Sequence, residues 1–313
     1  MTVTYNDIRQ SHERIKPFIH RTPILTSRII NELVGAELYF KCENFQKGGA
    51  FKARGAFNAV HSLSEEQLAK GLVTHSSGNH AAALALACAS RGAKATVVMP
   101  SNSPKPKKVA VAGYGATIVE CEPTLAARET TANKILAETQ GTFLHPYDND
   151  QVIAGQGTAA KEMIEDGPAF DLVMCPVGGG GLLAGTAISV KELLPDAKVI
   201  AAEPLGADDA KRSFDAGKRI LQTQPSTIAD GLLTSLGERN FAIIQQSVDN
   251  ILTAQEANII RAMRLIWQHM KIVIEPSAAL PLACLLEHKL DLKGKKVGII
   301  LSGGNVDIDK LPW

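Results

Sequence analysis

A lysine, a run of four glycines and a serine ahead of two more glycines are the residues of this chain best suited to chemistry. Lys52 lies in Gly49-Ala50-Phe51-Lys52-Ala53-Arg54-Gly55-Ala56, the run Gly178-Gly179-Gly180-Gly181-Leu182 lies near the middle, and Ser302-Gly303-Gly304-Asn305 lies near the end of 313 residues. A fourth polar stretch is Ser76-Ser77-Gly78-Asn79-His80. The glycine run follows the apolar Leu172–Val177 and precedes the helix-like Leu182-Leu183-Ala184-Gly185-Thr186-Ala187. Glycines between a strand and a helix leave backbone N–H groups free to converge on an anion at the positive helix end, which makes a phosphate cradle. The run has neither the Lys-Ser/Thr of a nucleotide P-loop nor the spaced glycines of a dinucleotide fingerprint. Taken alone it is equally a tight turn. A lysine amine can attack a carbonyl and act as a general base, although Lys52 standing alone reads first as a surface lysine beside Arg54.

Short apolar runs alternating with helix-length segments must position these residues. Strands are predicted at Leu72–Thr74, Ala95–Met99, Ala116–Cys121, Thr142–Leu144, Leu172–Cys175, Lys198–Ala202 and Lys296–Leu301. Helices are predicted at Asn79–Arg91, Pro106–Tyr114, Thr124–Gln140, Val152–Glu165, Ala254–Met270 and Ser277–His288. This alternation implies an α/β protein with open, mostly parallel sheets wrapped by helices. Strands this apolar imply sheets covered on both faces. Residues 65–149 read as a small domain inserted in a larger one made of 1–64 and 150–313. Ligands of such sheets lie beyond the carboxyl ends of strands. Ser76–His80, Gly178–Gly181 and Ser302–Gly304 all follow predicted strands, so one cleft can gather them.

Composition removes several classes of function. Lys and Arg number 33 against 32 Asp and Glu, a net charge of +1 that offers no field for nucleic acid or a membrane surface. Lys105-Pro106-Lys107-Lys108 is the densest basic stretch and reads as a solvated helix start. No apolar run is long enough to span a bilayer, and the first residues are polar. The five cysteines are odd in number, scattered and mostly among apolar neighbours, which predicts buried free thiols and a cytoplasmic protein.

In this order the motifs resemble the pyridoxal-phosphate enzymes of the tryptophan-synthase-β fold type. Within them the chain is most similar to the group of serine racemases, serine/threonine dehydratases and 3-hydroxyaspartate dehydratases. The resemblance covers nearly the whole chain and rests on Lys41–Ala56, Ser76–His80, Val152-Ile153-Ala154-Gly155-Gln156-Gly157, Pro176–Gly185, Ala202-Glu203-Pro204 and Ser302–Asn305. It implies two sheets with the active site between a small domain and a larger cofactor-binding one. Lys52 then corresponds to the Schiff-base lysine, with Phe51 packed on the pyridine ring, Gly178 to Leu182 around the phosphate and Asn79 on the ring hydroxyl. Phe51 is equally a core residue and Asn79 equally a helix cap. Ser302 aligns with the residue facing the pyridine nitrogen. A hydroxyl cannot stabilise a protonated ring as a carboxylate can, so the weaker electron sink favours prompt loss of a β-leaving group.

The resemblance also places Ser77 as a base on the cofactor face opposite Lys52, and Ser76, Ser77, Asn79 and the His80 backbone on the substrate α-carboxylate. The imidazoles of His80 and His145 read as structural. It implies a Mg²⁺ site, alternatively Ca²⁺ or Mn²⁺, at Glu203, the Ala207 carbonyl and Asp209, where sequence alone gives an acidic surface loop. It implies a homodimer as well. Ala50, Ala82 and Tyr147 depart from the pattern, and with Ala82 any nucleotide activation is not carried over. Relatives that take dicarboxylic ligands have an arginine at the position of Arg128 and a hydroxyl at that of Thr234; an arginine fork suits a carboxylate. The alternative for Arg128 is an ion pair with Glu129 on a helix surface. The expected reaction is β-elimination of a hydroxy amino acid, best 3-hydroxyaspartate to oxaloacetate and ammonia, with serine or aspartate racemisation possible beside it. Serine/threonine dehydration or serine racemisation as the main activity, β-replacement, and a non-catalytic binder of the cofactor or of an amino acid are the alternatives.

Overall fold

The computed structural model describes residues 3–76, 78–103 and 105–313. Among these residues ten strands form two sheets: β1 Ile24–Leu25, β2 Glu37–Cys42, β3 Leu72–His75, β4 Ala95–Pro100, β5 Thr117–Cys121, β6 Thr142–Phe143, β7 Leu172–Pro176, β8 Lys198–Pro204, β9 Asn250–Ala254 and β10 Lys296–Leu301. The larger sheet runs β1-β2-β10-β7-β8-β9 and the smaller β5-β4-β3-β6. All neighbours are parallel except β1 and β2. Every predicted strand is present. Three more were not legible as apolar runs: β2 carries Glu37 and a buried Lys41, β9 starts on a half-buried Asn250, and β1 has two residues.

Side chains alternate across a strand, and β7 uses both faces. Leu172 and Met174 join the core formed with helices Glu256–Met270 and Pro276–Glu287, whereas Val173 and Cys175 join the core formed with Asp150–Asp166 and Gly181–Leu193. The small sheet is covered likewise. Leu72, Val97 and Met99 pack on helix Asn79–Ser90, and Val73 and Val98 pack with Ala132 of helix Leu125–Thr139. Helices on both faces explain why these strands read as continuous apolar runs. Among the described residues no helix is long and apolar enough to cross a membrane.

Helix Lys52–His61 packs against Asp150–Asp166, which in turn packs against Gly181–Leu193. The approach is close. A Cβ on Gly155 would stand 2.6 Å from the Arg54 carbonyl, and one on Gly185 would stand 2.5 Å from the Gly157 amide. Beneath the first contact lies a buried ion cluster. Arg54 bonds Glu43 at 2.7 and 2.8 Å and Glu162 at 2.9 and 2.7 Å, and Lys41 Nζ reaches Glu162 at 2.8 Å. Burial by itself would push the Glu162 carboxyl up; Arg54 and Lys41 overcome it and hold it at about 2. Breaking such a cluster leaves a buried charge uncompensated, so it pins the helix that begins at Lys52. All five cysteines are free, and burial pushes their thiols up, Cys42 to about 12.

Candidate active site

The loops after β3, β7 and β10 line one cavity of about 440 Å³. Into it face Phe51, Lys52, Ser76, Asn79, His80, Arg128, Gly178 to Leu182, Thr234 and Ser302, together with Tyr147, Asp230 and Glu275. Ser77 lies outside the described residues.

Lys52 opens its helix, one residue after Phe51. The loop before it is tied to the loop after β10 by a bridge between Ala50 and Gly303 and by the Phe51 amide donating to the Ser302 carbonyl at 2.9 Å. Lys52 Nζ donates to the Pro146 carbonyl at 3.0 Å and lies 5.1 Å from the Phe51 ring centre and 6.0 Å from that of Tyr147. It has no carboxylate partner within ion-pair distance among the described residues. Burial pushes the ammonium down to about 8, with Glu275 pulling the other way. A lysine poised near neutrality in a cavity is suited to nucleophilic and proton-transfer work.

The glycine run fits a phosphate. The amides of Gly178 to Gly181 donate to no backbone carbonyl among the described residues, while the Gly179 carbonyl turns away to the Gly237 amide at 3.0 Å and Asn240 Nδ2 at 2.7 Å. Gly180 has φ +91° and caps the helix Gly181–Leu193. Side chains are excluded here: a Cβ on Gly179 would enter the Tyr147 ring, and one on Gly180 would meet Leu236 at 2.6 Å. Amides unpaired among the described residues at a helix start, a half-buried amine and the buried Ser302 hydroxyl together suit a phosphorylated aldehyde.

Asn79 does not cap its helix, whose N-cap is Gly78 with no side-chain bond. Its amide instead donates to Glu275 at 2.9 and 3.1 Å. Glu275 was not apparent in the sequence; the only signal is an acid before Pro276 at a helix start. It is 2 % exposed, and burial, with Asp230 adding to it, pushes its carboxyl up to about 7. His80 is buried with neither ring nitrogen hydrogen-bonded among the described groups, and burial with Lys52 and His145 pushes it well down. His145 is pushed down to about 4 by burial, and its Nδ1 accepts from the Asp148 amide at 2.9 Å, a loop-holding role.

Arg128 faces the cavity half-buried and makes no ion pair with Glu129 or any other described residue. Among the described residues its side chain bonds only to the Thr124 carbonyl, through Nε at 3.4 Å. Burial pushes the Tyr147 phenol up, and the neighbouring Thr234 opposes it.

Glu203 ends within β8 and Asp209 starts the helix Asp209–Ala216, with the buried Ala207 between them. Neither carboxylate has a cationic partner within ion-pair distance among the described residues. Glu203 accepts from the Ala210 and Lys211 amides, both at 2.8 Å, and Asp209 from the Leu236 amide at 2.9 Å. Burial pushes Glu203 up to about 9 and Asp209 up to about 6. Two buried carboxylates that form no ion pair among the described residues fit a hard cation, with the Ala207 carbonyl as an oxygen donor of the same class. No group of three or more His, Cys, Asp or Glu suited to a metal occurs among the described residues.

The chain is similar along its length to known proteins. Residues 15–303 match the family described as "Pyridoxal-phosphate dependent enzyme". The chain is 54% identical over 310 residues, 99% of it and 98% of the other chain, to a beta-hydroxyaspartate dehydratase of Paracoccus denitrificans. It is 46% identical to the L-threo-3-hydroxyaspartate ammonia-lyase of Saccharomyces cerevisiae, over 98% of this chain and 94% of that one. The crystal structure of serine racemase from Dictyostelium discoideum superimposes with a TM-score of 0.94 at 52% identity, covering 98% of this chain and all of that one (100%). A lysine at the helix start, a bare glycine cradle and full-length similarity converge, and the chain belongs to the pyridoxal-phosphate-dependent enzyme family.

Proposed function

We propose that this chain is a pyridoxal-phosphate-dependent ammonia-lyase that converts 3-hydroxyaspartate to oxaloacetate and ammonia. The observation that carries the substrate is Arg128: a guanidinium free of any acidic partner among the described residues, facing the cavity that holds Lys52. A planar fork of N–H donors binds a carboxylate in two-pronged fashion. Names of two relatives, a beta-hydroxyaspartate dehydratase and an L-threo-3-hydroxyaspartate ammonia-lyase, support the same substrate.

Pyridoxal phosphate, held through the Gly178–Gly181 amides, would supply the electron sink for charge developing at Cα. Lys52 Nζ takes the Cα proton, which its lowered affinity for protons permits near neutral pH. Ser76, Asn79 and the His80 backbone orient the α-carboxylate, while Arg128 and Thr234 take the β-carboxylate. Hydroxide leaves from Cβ as water once protonated. The unsaturated amino acid that results tautomerises and takes up one water as it releases ammonia, so the net change is loss of ammonia alone. The buried Ser302 hydroxyl, beside the ring nitrogen, would not stabilise its protonated form as a carboxylate would, which favours this elimination over slower carbanion chemistry.

Serine or aspartate racemisation as a second activity is supported by the similarity to a serine racemase, with Ser77 as the base on the other face. A cation at Glu203, Ala207 and Asp209, a homodimer, a small domain of residues 65–149 and a cytoplasmic location belong to the same proposal.

Ammonia and oxo-acid release should be measured with the threo and erythro isomers of 3-hydroxyaspartate, L- and D-serine and L-threonine. Oxaloacetate from a hydroxyaspartate isomer should dominate. Arg128→Ala should lower kcat/KM for hydroxyaspartate by about 100-fold, the worth of a charged hydrogen-bonded pair of ~2–3 kcal/mol, and leave serine turnover within about threefold. Equal losses on both substrates would assign Arg128 to structure and the chain to serine or threonine chemistry.

A further inference from the structure

β-Elimination of a hydroxy amino acid needs a proton for the departing hydroxide, and few groups around the cavity can supply it. Lys52 is occupied with the Cα proton. Serine and threonine hydroxyls are far weaker acids than a phenol. Burial pushes the His145 imidazole down to about 4 and those of His75 and His80 down as well, so none of the three carries an imidazolium proton at neutral pH. Lys107 and Asp230 are ion-paired to each other, and both Glu275 oxygens accept from Asn79. Tyr147 is left. A phenol keeps its proton at neutral pH, and burial holds this one more firmly still.

The ring of Tyr147 is fixed at the place where that proton is needed. Its Cγ end rests on Gly179, its carbonyl accepts from Asn240 Nδ2 at 3.1 Å, and the His145 ring stands edge-on to it at 4.6 Å. On one side Lys52 Nζ lies 6.0 Å from the ring centre, tied to the carbonyl of the preceding Pro146. On the other side Thr234 neighbours the phenol and Arg128 is close enough to act on it. All four side chains line the same cavity. A substrate with its Cα at Lys52 and its β-carboxylate at Arg128 and Thr234 carries Cβ between them. The hydroxyl on Cβ then lies beside the phenol.

We propose that Tyr147 is the proton donor to the leaving β-hydroxyl. The step rests on the elimination reading above and balances as follows. Lys52 Nζ takes the Cα proton, the Cα–H pair forms the double bond to Cβ, and the Cβ–O bond breaks with its pair on oxygen. The Tyr147 O–H bond breaks as the new O–H bond of water forms. The phenolate left behind recovers its proton from the Lys52 ammonium, which returns both groups to their starting state. General acid help of this kind removes the need to expel bare hydroxide into a cavity walled by Phe51 and the glycine run.

The test uses holoenzyme, the 3-hydroxy amino acid that wild type turns over best, and its 3-chloro analogue of the same configuration. Chloride leaves without a proton, so the two substrates differ in their need for the donor. Tyr147→Phe keeps the ring on Gly179 and removes the O–H alone. It should lower kcat for the hydroxy substrate about 100-fold or more and leave the chloro substrate within about threefold of wild type. The ratio of the two rates in one sample does not depend on the fraction of protein that folds. If Tyr147→Phe yields no folded protein, Tyr147→Asn, a smaller side chain without an acidic proton, carries the same comparison. In D₂O the variant should still wash deuterium into Cα of the hydroxy substrate, now faster than it releases oxo acid. Equal losses on both substrates would overturn the proposal and leave Tyr147 a shape-giving residue. An unchanged rate on the hydroxy substrate would overturn it as well and assign the proton to the Lys52 ammonium or the cofactor phosphate. Wild type that releases no oxo acid from any hydroxy amino acid would instead overturn the elimination reading itself.

Discussion

Lys52 shows how one side chain takes its reactivity from its surroundings. Its nearest polar neighbour is a carbonyl oxygen, its nearest rings are Phe51 and Tyr147, and burial leaves the amine at about 8. The sign follows from desolvation: burial disfavours the charged form of a lysine, so the neutral nucleophile gains population as pH rises towards 8. Reconstitution of cofactor-stripped protein should therefore accelerate about tenfold per unit below pH 8 and level off above it, followed by the absorption of the bound cofactor. A rate still climbing at pH 10 would mean an ordinary surface lysine. Folding pulls this amine down from 10.5, so the charged form destabilises the cofactor-free fold below pH 8 and the penalty lifts between 8 and 10.5. Lys52 and Ser302 were legible from type and context. Glu275 was not, because nothing local marks an acid 223 positions from Lys52 as its neighbour, and only packing on Gly303 and Asn79 brings it there.

At the scale of elements, the strand β7, the glycine loop and helix Gly181–Leu193 form one device. The strand is buried on both faces, the loop amides are unpaired among the described residues, and the helix adds its positive end. Tyr147 closes the loop from outside, its ring against the Gly179 Cα and its carbonyl accepting from Asn240 at 3.1 Å. Gly179→Ala would drive a methyl into that ring. Overpacking of this kind costs ~1–3 kcal/mol, so cofactor affinity should fall about tenfold or more, measured by titration with pyridoxal phosphate. Gly35→Ala is the matched comparison: its Cβ meets nothing, and only the backbone strain of φ +77° is added, far from the cavity. Unchanged affinity in the first variant would show that the tyrosine yields freely. The run of glycines was conspicuous in the sequence, but its partner Tyr147 registered only as a departure from a pattern.

For the whole molecule, Glu203 and Asp209 tie the large sheet to the wall of the cavity. Asp209 accepts the Leu236 amide, and the neighbouring Gly237 donates to the Gly179 carbonyl, so the segment carrying Thr234 hangs between the acidic pair and the phosphate loop. A cation there binds the folded chain alone, and at 100 times its Kd should raise stability by ~2.7 kcal/mol, or Tm by about 5 °C. Calorimetry with Mg²⁺ and with a chelator should show this difference, and Asp209→Ala should remove it; a Tm indifferent to chelation would leave the two carboxylates as a structural pair. The sequence by itself determined the alternation of strands and helices, the loops that gather at strand ends, and the lysine, glycines and serine of the site, because periodicity, backbone freedom and reactive groups are local properties. Only the tertiary structure decided that Arg128 lacks an acidic partner among the described residues, that Asn79 holds Glu275 instead of capping its helix, and that Lys41, Glu43, Arg54 and Glu162 are buried together. Each of these depends on which distant groups share a low-dielectric space, and charge pairing, pKa and amide orientation are set there by neighbours in three dimensions.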